Sequence, residues 1–155
     1  MFGTRATLVG LGTAALLVSV VAIASADPGS GFTSALIGRG QSAESFMIHQ
    51  RAGNDVATAQ NTVAPGGSSG WHSHPGTALV IVQSGEITSF SERVKGGRCR
   101  IHTYTAGQLF LEQPKDEQTG INYGTVPTVL AVTFFNVPHG DNSRIERTDP
   151  GNCHR

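Results

Sequence analysis

Short strand-like segments separated by turn residues run along most of the chain, and this spacing most constrains its fold. After the first 26 residues no segment keeps the 3.6-residue period of an amphipathic helix. The 20 glycines and 7 prolines suit a chain with many turns. About eight short antiparallel strands in one domain predict a β-sandwich or barrel, of which the double-sheet jelly roll is one form. The expected fold class is therefore all-β.

The expected strands follow a Gly, Ser and Ala-rich segment that has one short strand of its own around residues 32–37. Residues 77–83 are a continuous apolar run, which is typical of a strand buried on both faces, and Ser84-Gly85 ends it. The strands expected in the domain are 45–51, 55–64, 71–74, 77–83, 86–94, 98–104, 108–112, 121–123 and 128–137.

The first 26 residues have the features of a secretory signal peptide. Arg5 supplies a positive charge, residues 8–23 are mostly small and apolar, and Ala24-Ser25-Ala26 is a cleavage site of the A-x-A type. Cleavage would leave a secreted, periplasmic or cell-envelope protein that has no membrane association. An uncleaved membrane anchor is the alternative, because the apolar stretch approaches the length of a membrane span.

The predicted organisation has four parts. They are a signal peptide over residues 1–26, an N-terminal arm over 27–44, one folded domain over 45–140 and a polar C-terminal tail over 141–155. Cys99 and Cys153 can pair in an oxidising compartment, and the bond would then tether the tail. Two separate thiols are the alternative.

The charges of the chain argue against two classes of partner. There are 11 basic and 11 acidic residues, with no basic patch and no acidic run. Nucleic acid and anionic membrane surfaces are therefore poor candidate partners.

Two histidines one residue apart give the first indication of a binding site. In a strand, His72 and His74 point to the same face, so both imidazoles can reach one metal ion. Two ligands do not close a site, so the spacing alone leaves open that both are ordinary polar residues near a Gly/Pro turn. The other four histidines are expected to be packed or surface residues: His49, His102, His139 and His154.

The surroundings of these histidines resemble the first motif of the cupin superfamily, Gly-x5-His-x-His-x(3 or 4)-Glu-x6-Gly. The residues that match are Gly66, His72, His74 and Gly85. The position of the motif glutamate falls on Ala78 or Leu79, and neither residue can bind a metal.

A later segment is similar to the second cupin motif, roughly Gly-x5-Pro-x4-His-x3-Asn. It runs from Gly107 to Asn122, with one extra residue before Pro114 and with Gln118 in place of the histidine. The resemblance covers residues 45–140 and implies a small single-domain cupin, a double-stranded β-helix with a jelly-roll barrel.

The resemblance also implies a metal site with an incomplete set of ligands. Metal-bearing cupins use three histidines and a glutamate, so the implied ligands here are His72, His74 and, through its amide oxygen, Gln118. The expected ion is a divalent metal such as Zn, Fe, Mn, Cu or Ni, held weakly because a carboxylate and an imidazole are missing. Three nearby carboxylates are candidate replacements, although a solvated position is the favoured interpretation for them: Glu86, Asp116 and Glu117.

Three functions are compatible with this set of residues. The favoured one is an exported cupin that binds a small molecule or a weakly held metal in its barrel and catalyses no reaction. A metal-dependent oxygenase or isomerase acting on a small organic substrate is the alternative. A structural or partner-binding envelope protein is the third. A homodimer is expected, and no catalytic residue is assigned.

Overall fold

The structure is a computed structural model that describes residues 29–92 and 98–153. The predicted signal peptide over 1–26 lies outside the described residues. Residues from Ala35 onward belong to one compact unit, whereas the described residues 29–34 belong to a separate unit and form no strand. None of the residues described forms a helix that could span a bilayer.

The described part of the chain contains nine β-strands in two antiparallel sheets, which confirms the all-β prediction. The strands are β1 Asn54–Val63, β2 His72–Ser73, β3 Ala78–Ser84, β4 Glu86–Glu92, β5 Cys99–Thr105, β6 Leu109–Glu112, β7 Glu117–Ile121, β8 Thr128–Pro138 and β9 Ile145–Glu146. The four-stranded sheet has the order β1-β8-β3-β6, and the five-stranded sheet has the order β5-β4-β7-β2-β9.

The four-stranded sheet supplies most of the apolar core. Strand β3 alternates along its length, with Ala78, Val80 and Val82 buried toward the other sheet. Gly38 and Gly40 of the N-terminal arm lie close to the intervening Ile81, since a Cβ atom added at either glycine would meet Ile81 Cγ2 at 3.6 or 3.1 Å. A run that is apolar on both faces is therefore covered on both faces, as its composition predicts.

The five-stranded sheet turns a polar row toward the core. Directly opposed residues of antiparallel strands carry their side chains on the same face. The register pairs β5 with β4, β4 with β7, β7 with β2 and β2 with β9, and so aligns one residue from each strand. We call this the polar row: Arg100, Ser91, Gln118, His72 and Glu146.

Two strands expected before β1 are not formed. Residues 32–37 have no strand, and the arm instead makes a single parallel bridge between Gln41 and Gln108. Residues 45–51 have no strand either, because side chains replace the backbone ladder there. Asn136 on β8 accepts a hydrogen bond from the Arg51 backbone N–H at 2.7 Å and donates one to the His49 carbonyl at 2.6 Å.

The strand expected at 121–123 is displaced toward the N-terminus: β7 begins at Glu117, which was expected in a loop, and shares only Ile121 with the expected range. It ends there because Asn122 bonds to residues outside the sheet ladder. Its side-chain nitrogen donates to the carbonyls of Val63 at 2.9 Å and Val126 at 2.8 Å. Its backbone carbonyl accepts from the Gly66 N–H at 2.8 Å. The first residue of one motif and the last residue of the other are therefore joined directly.

The segment after β8 belongs to the sheet rather than to a loose tail. Strand β9 pairs with β2, and the Arg147 backbone N–H donates to the Trp71 carbonyl at 3.0 Å. Cys153 forms the expected disulfide with Cys99, with their Cα atoms 5.1 Å apart. We call residues 143–153 the C-terminal strap.

Candidate metal centre

Three side chains meet between the two sheets in an arrangement that can hold a metal ion. His72, His74 and Glu112 each offer one ligand atom, and these atoms lie within 4.8 Å of one another. His72 is 5% exposed and His74 is 3% exposed, so both imidazoles are almost fully removed from solvent. Two imidazoles and a carboxylate are suitable ligands for most divalent transition metals.

The carboxylate of this cluster comes from a strand that sequence reasoning had not used. Glu112 is the last residue of β6 and lies directly opposite Ala78 of β3. Ala78 is one of the two positions on which the motif glutamate falls. Because opposed side chains share a face, Glu112 supplies from the neighbouring strand the group that position 78 lacks.

Backbone carbonyls fix the orientation of both histidines. His72 Nδ1 donates to the Gly70 carbonyl at 2.8 Å, and His74 Nδ1 donates to the Ser143 carbonyl of the C-terminal strap at 2.5 Å. A carbonyl cannot donate, so Nδ1 carries the proton in both rings. Each Nε2 is therefore left as the metal-binding atom, as in other histidine metal sites.

The contact between His74 and Glu112 is compatible with a cation between the two side chains. His74 Nε2 lies 3.0 Å from Glu112 Oε2, and both side chains are largely buried. With the proton on Nδ1, the lone pair of His74 Nε2 would face the negative charge of the Glu112 carboxylate. This repulsion is removed if Nε2 is also protonated or if a cation lies between the two groups. Two ligands of one ion, each about 2.1 Å from it, are separated by roughly 3 Å.

Burial favours the neutral form of the His72 imidazole, which is the form that can bind a metal. Removal from solvent lowers the pKa of His72, against the opposing effects of the Gly70 carbonyl and the Glu112 charge. A lowered pKa favours the neutral ring, whose Nε2 has a free lone pair.

A cavity of about 240 Å³ opens beside the cluster. His72, His74 and Glu112 line it, together with an apolar wall that includes Phe110 and Phe134. Arg144 of the C-terminal strap lines it as well. This guanidinium donates to both carboxylate oxygens of Glu146, at 2.6 and 3.1 Å, and to the Ser69 carbonyl at 2.6 Å.

The structure places the predicted ligand Gln118 next to the cluster but in a different cavity. Gln118 lies opposite His72 in the register and is 1% exposed. It lines a larger neighbouring cavity of about 780 Å³ rather than the cavity of 240 Å³. Its role as a third ligand stays a prediction.

The replacement carboxylates considered from the sequence are not in the cluster found among the described residues. That cluster contains Glu112 and none of Glu86, Asp116 and Glu117. Glu112 is the last residue of a predicted apolar strand. It lies two residues after the buried Phe110, and this spacing was the signal that its side chain faces the interior. Its partner strand could not be read from the sequence.

The remaining described histidines lie outside the cluster. His139 contacts Asp55 at 2.9 Å in an exposed loop, where the hydrogen bond to Asp55 raises the pKa of His139. His102 packs against Tyr104, with ring centroids 4.4 Å apart. His49 is exposed. His154 lies outside the described residues.

Comparisons with known proteins identify the domain. The family model for the cupin domain matches residues 60–134. Among solved structures, the chain is similar to an oxalate oxidase, with a TM-score of 0.52 and 23% identity over 59% of this chain and 45% of that one. It is also similar to the oxalate decarboxylase of Bacillus subtilis, with a TM-score of 0.53 and 23% identity over 60% of this chain and 24% of that one.

A third similar structure is Peruvianin-I, described as a cysteine peptidase from Thevetia peruviana latex, with a TM-score of 0.50 and 22% identity over 56% of this chain and 53% of that one. The chain thus spans about half or less of the length of these proteins, and identities this low show the fold alone. No curated protein matches the chain. The family model over residues 60–134 and the two antiparallel sheets agree with a cupin-like jelly-roll domain.

Proposed function

We propose that this cupin domain binds a divalent metal ion through His72 Nε2, His74 Nε2 and a carboxylate oxygen of Glu112. The observation that carries the proposal is the position of the His74 ring. It donates from Nδ1 to the Ser143 carbonyl, and its Nε2 faces the Glu112 carboxylate at 3.0 Å. A cation between these two ligand atoms satisfies both of them.

The ligand set suits several metals, and manganese is the first to test. Two imidazoles and one carboxylate are compatible with Zn, Fe, Mn, Cu or Ni. The oxalate decarboxylase of Bacillus subtilis, whose fold is similar, has Mn(II) centres. Three protein ligands also leave coordination positions open, which is the arrangement of catalytic rather than structural metal sites.

The cavity beside the ion is the proposed site of a small organic molecule. Its volume of about 240 Å³ suits a molecule of a few carbon atoms, and Arg144 provides a cationic group at its edge. A small carboxylate that reaches both the ion and Arg144 fits this combination of groups. The primary proposal is that the exported protein binds this molecule and catalyses no reaction.

A metal-dependent enzyme is the second candidate, favoured by the open coordination positions. The chain would then supply the ion, the buried imidazoles and Arg144 to hold a small organic acid in a mostly apolar cavity. Oxygen uptake by Mn-loaded and Fe-loaded protein in the presence of oxalate or glycolate would separate an oxygenase or oxidase from a binding protein.

Metal titration of untagged protein tests the proposal. Calorimetry with Mn²⁺ and Zn²⁺ is expected to give one site per chain. Each of His72→Ala, His74→Ala and Glu112→Ala is expected to weaken binding by at least tenfold, about 1.4 kcal/mol. His49→Ala is the matched control, because His49 has an exposed side chain outside the cluster. Equal affinity in wild-type protein and all three ligand variants would show that the domain has kept the cupin fold without this site.

A further inference from the structure

The larger cavity is lined by Glu112 but not by His72 or His74. Its volume is about 780 Å³, within the range of small-molecule pockets. Residues of β4, β5, β6 and β7 line it, together with residues 42–46 at the end of the N-terminal arm and directly after it. Ser89, Phe110 and Glu112 line both cavities, so the larger cavity adjoins the candidate metal centre although neither His72 nor His74 lines it.

An unpartnered amide donor points to a ligand in this cavity. Gln118 lines it and is 1% exposed, yet its Nε2 has no hydrogen-bond partner among the described residues. Leaving a buried N–H group unpaired is costly, so such groups in folded proteins nearly always have a partner. An acceptor atom of a bound molecule would supply that partner.

The charges around the cavity argue against an anion. Arg100 and His102 are the basic side chains in its lining, whereas Glu44, Glu112 and Asp116 are acidic. A carboxylate or phosphate would therefore meet a surplus of negative charge. A neutral molecule whose groups both accept and donate hydrogen bonds can satisfy the amide and the carboxylates together.

An aromatic surface forms part of the same lining. Tyr104 stacks on Phe110, with ring centroids 4.1 Å apart and an angle of 14° between the rings. Burial and the nearby Glu44 charge raise the pKa of Tyr104, so its hydroxyl remains a proton donor at neutral pH. Aromatic faces beside amide, hydroxyl and carboxylate groups can contact both the C–H and the O–H groups of one molecule.

We propose that this cavity binds a neutral polyhydroxylated molecule the size of a monosaccharide or disaccharide. The Gln118 amide nitrogen donates to one of its hydroxyl oxygens, and Glu44 accepts from another hydroxyl. The site adjoins the small cavity beside the proposed metal but does not need the ion to be bound.

Titration of metal-free protein with defined sugars tests this proposal. Protein dialysed against chelator is mixed with glucose, galactose or maltose while the side-chain amide signals are followed by NMR, and acetate serves as the anionic comparison. At least one sugar is expected to bind with a Kd of about 10 mM or tighter and to shift the Gln118 amide signal. Acetate is expected to leave that signal unchanged.

The variant Gln118→Leu distinguishes a binding role from a structural one. It removes the unpartnered donor at similar size, so the denaturation midpoint is expected to stay the same or rise. Sugar affinity is expected to fall at least tenfold. Gln60→Leu is the control, since it makes the same change at an exposed position of β1 that does not line the cavity.

Three results would overturn the proposal: no sugar binds in that range, acetate shifts the Gln118 signal as sugars do, or Gln118→Leu lowers the midpoint and keeps wild-type sugar affinity. Because the protein is metal-free throughout, these results do not depend on the metal centre. Failure of the ion to bind would leave them unchanged.

Discussion

Ala78 and Glu112 show how a neighbouring strand can place a carboxylate beside a position that lacks one. The two residues are directly opposed on β3 and β6. Opposed side chains on one face have Cβ atoms about 5 Å apart, a distance that a glutamate side chain can span. The carboxylate that the cupin motif places on β3 is therefore supplied by β6.

Exchanging the carboxylate from position 112 on β6 to position 78 on β3 tests whether the two positions are equivalent. Glu112→Ala alone is expected to weaken Mn²⁺ binding at least tenfold. The double variant Glu112→Ala with Ala78→Glu is expected to recover most of the loss, because the new carboxylate approaches the histidines from the opposed position. Calorimetry on both variants measures the recovery.

Ala78→Glu in the wild-type background is the control for the exchange. It places two carboxylates directly opposite each other, and like charges at opposed positions destabilise a sheet. We therefore expect a lower midpoint of denaturation for this single variant than for the double variant. A double variant that binds no better than Glu112→Ala would contradict the proposed equivalence of the two positions.

Sequence reasoning found the two histidines and missed the glutamate for a physical reason. The strand period is local, so His72 and His74 can be assigned to one face from their spacing alone. The place of Glu112 depends on which strand pairs with β6 and in what register, and no local pattern specifies that pairing. The placement of Gln118 beside His72 has the same dependence.

At the scale of elements, the C-terminal strap connects the disulfide to the metal centre. Its Ser143 carbonyl orients His74, and Arg144 lines the small cavity. Arg147 donates from Nε to the Ser73 hydroxyl at 3.0 Å, between the two histidines. The strap is held by β9 near one end and by the Cys99–Cys153 bond at the other.

Opening the disulfide is expected to affect both stability and metal binding. Cys99→Ser with Cys153→Ser should lower the free energy of unfolding by about 2 to 5 kcal/mol, since the bond constrains the unfolded chain. Mn²⁺ affinity should fall because His74 is then oriented by a less firmly held segment. Urea denaturation and calorimetry measure the two effects.

Wild-type protein treated with a phosphine reductant should reproduce both effects, and the double serine variant should be insensitive to that reagent. Unchanged Mn²⁺ affinity after complete reduction would show that β9 alone holds the strap in place.

Most strands of the domain were predictable, whereas the segment before β1 and the last strand were not. Strands β1, β3 and β8 lie within one or two residues of their expected bounds because each carries a long apolar or alternating pattern. Residues 45–51 have a similar composition, but Asn136 satisfies their backbone through its side chain. Strand β9 has two residues, too few for any periodicity to be seen.

At the scale of the whole molecule, several apolar side chains remain exposed outside the sandwich. Leu36 is 70% exposed, Ile37 is 62% exposed and Met47 is 93% exposed, all in or next to the N-terminal arm. Val56 on the edge strand β1 is 52% exposed. Exposed apolar groups and an unpaired strand edge are typical of surfaces that pair with another chain.

A homodimer is therefore expected, and sedimentation velocity tests it. Wild-type protein should sediment with twice the mass of one chain, and Ile37→Glu with Met47→Glu should shift it toward the monomer. Gln60→Glu on the outer face of β1 is the comparison for a change in charge alone. A wild-type protein that is still monomeric at about 100 μM would contradict the dimer, since its free energy of association would then be weaker than about 6 kcal/mol.

Ser143 follows the three proposed ligands in the chain, so its carbonyl is the last part of the site to be synthesised. A polypeptide emerges amino end first, so His72, His74 and Glu112 are all present before the carbonyl that orients His74. An ion captured during synthesis would meet one imidazole still free to rotate, and it would exchange readily. If an exported chain holds the proposed ion, the metal would be selected where the strap docks and the cysteines oxidise, and not where the chain is made.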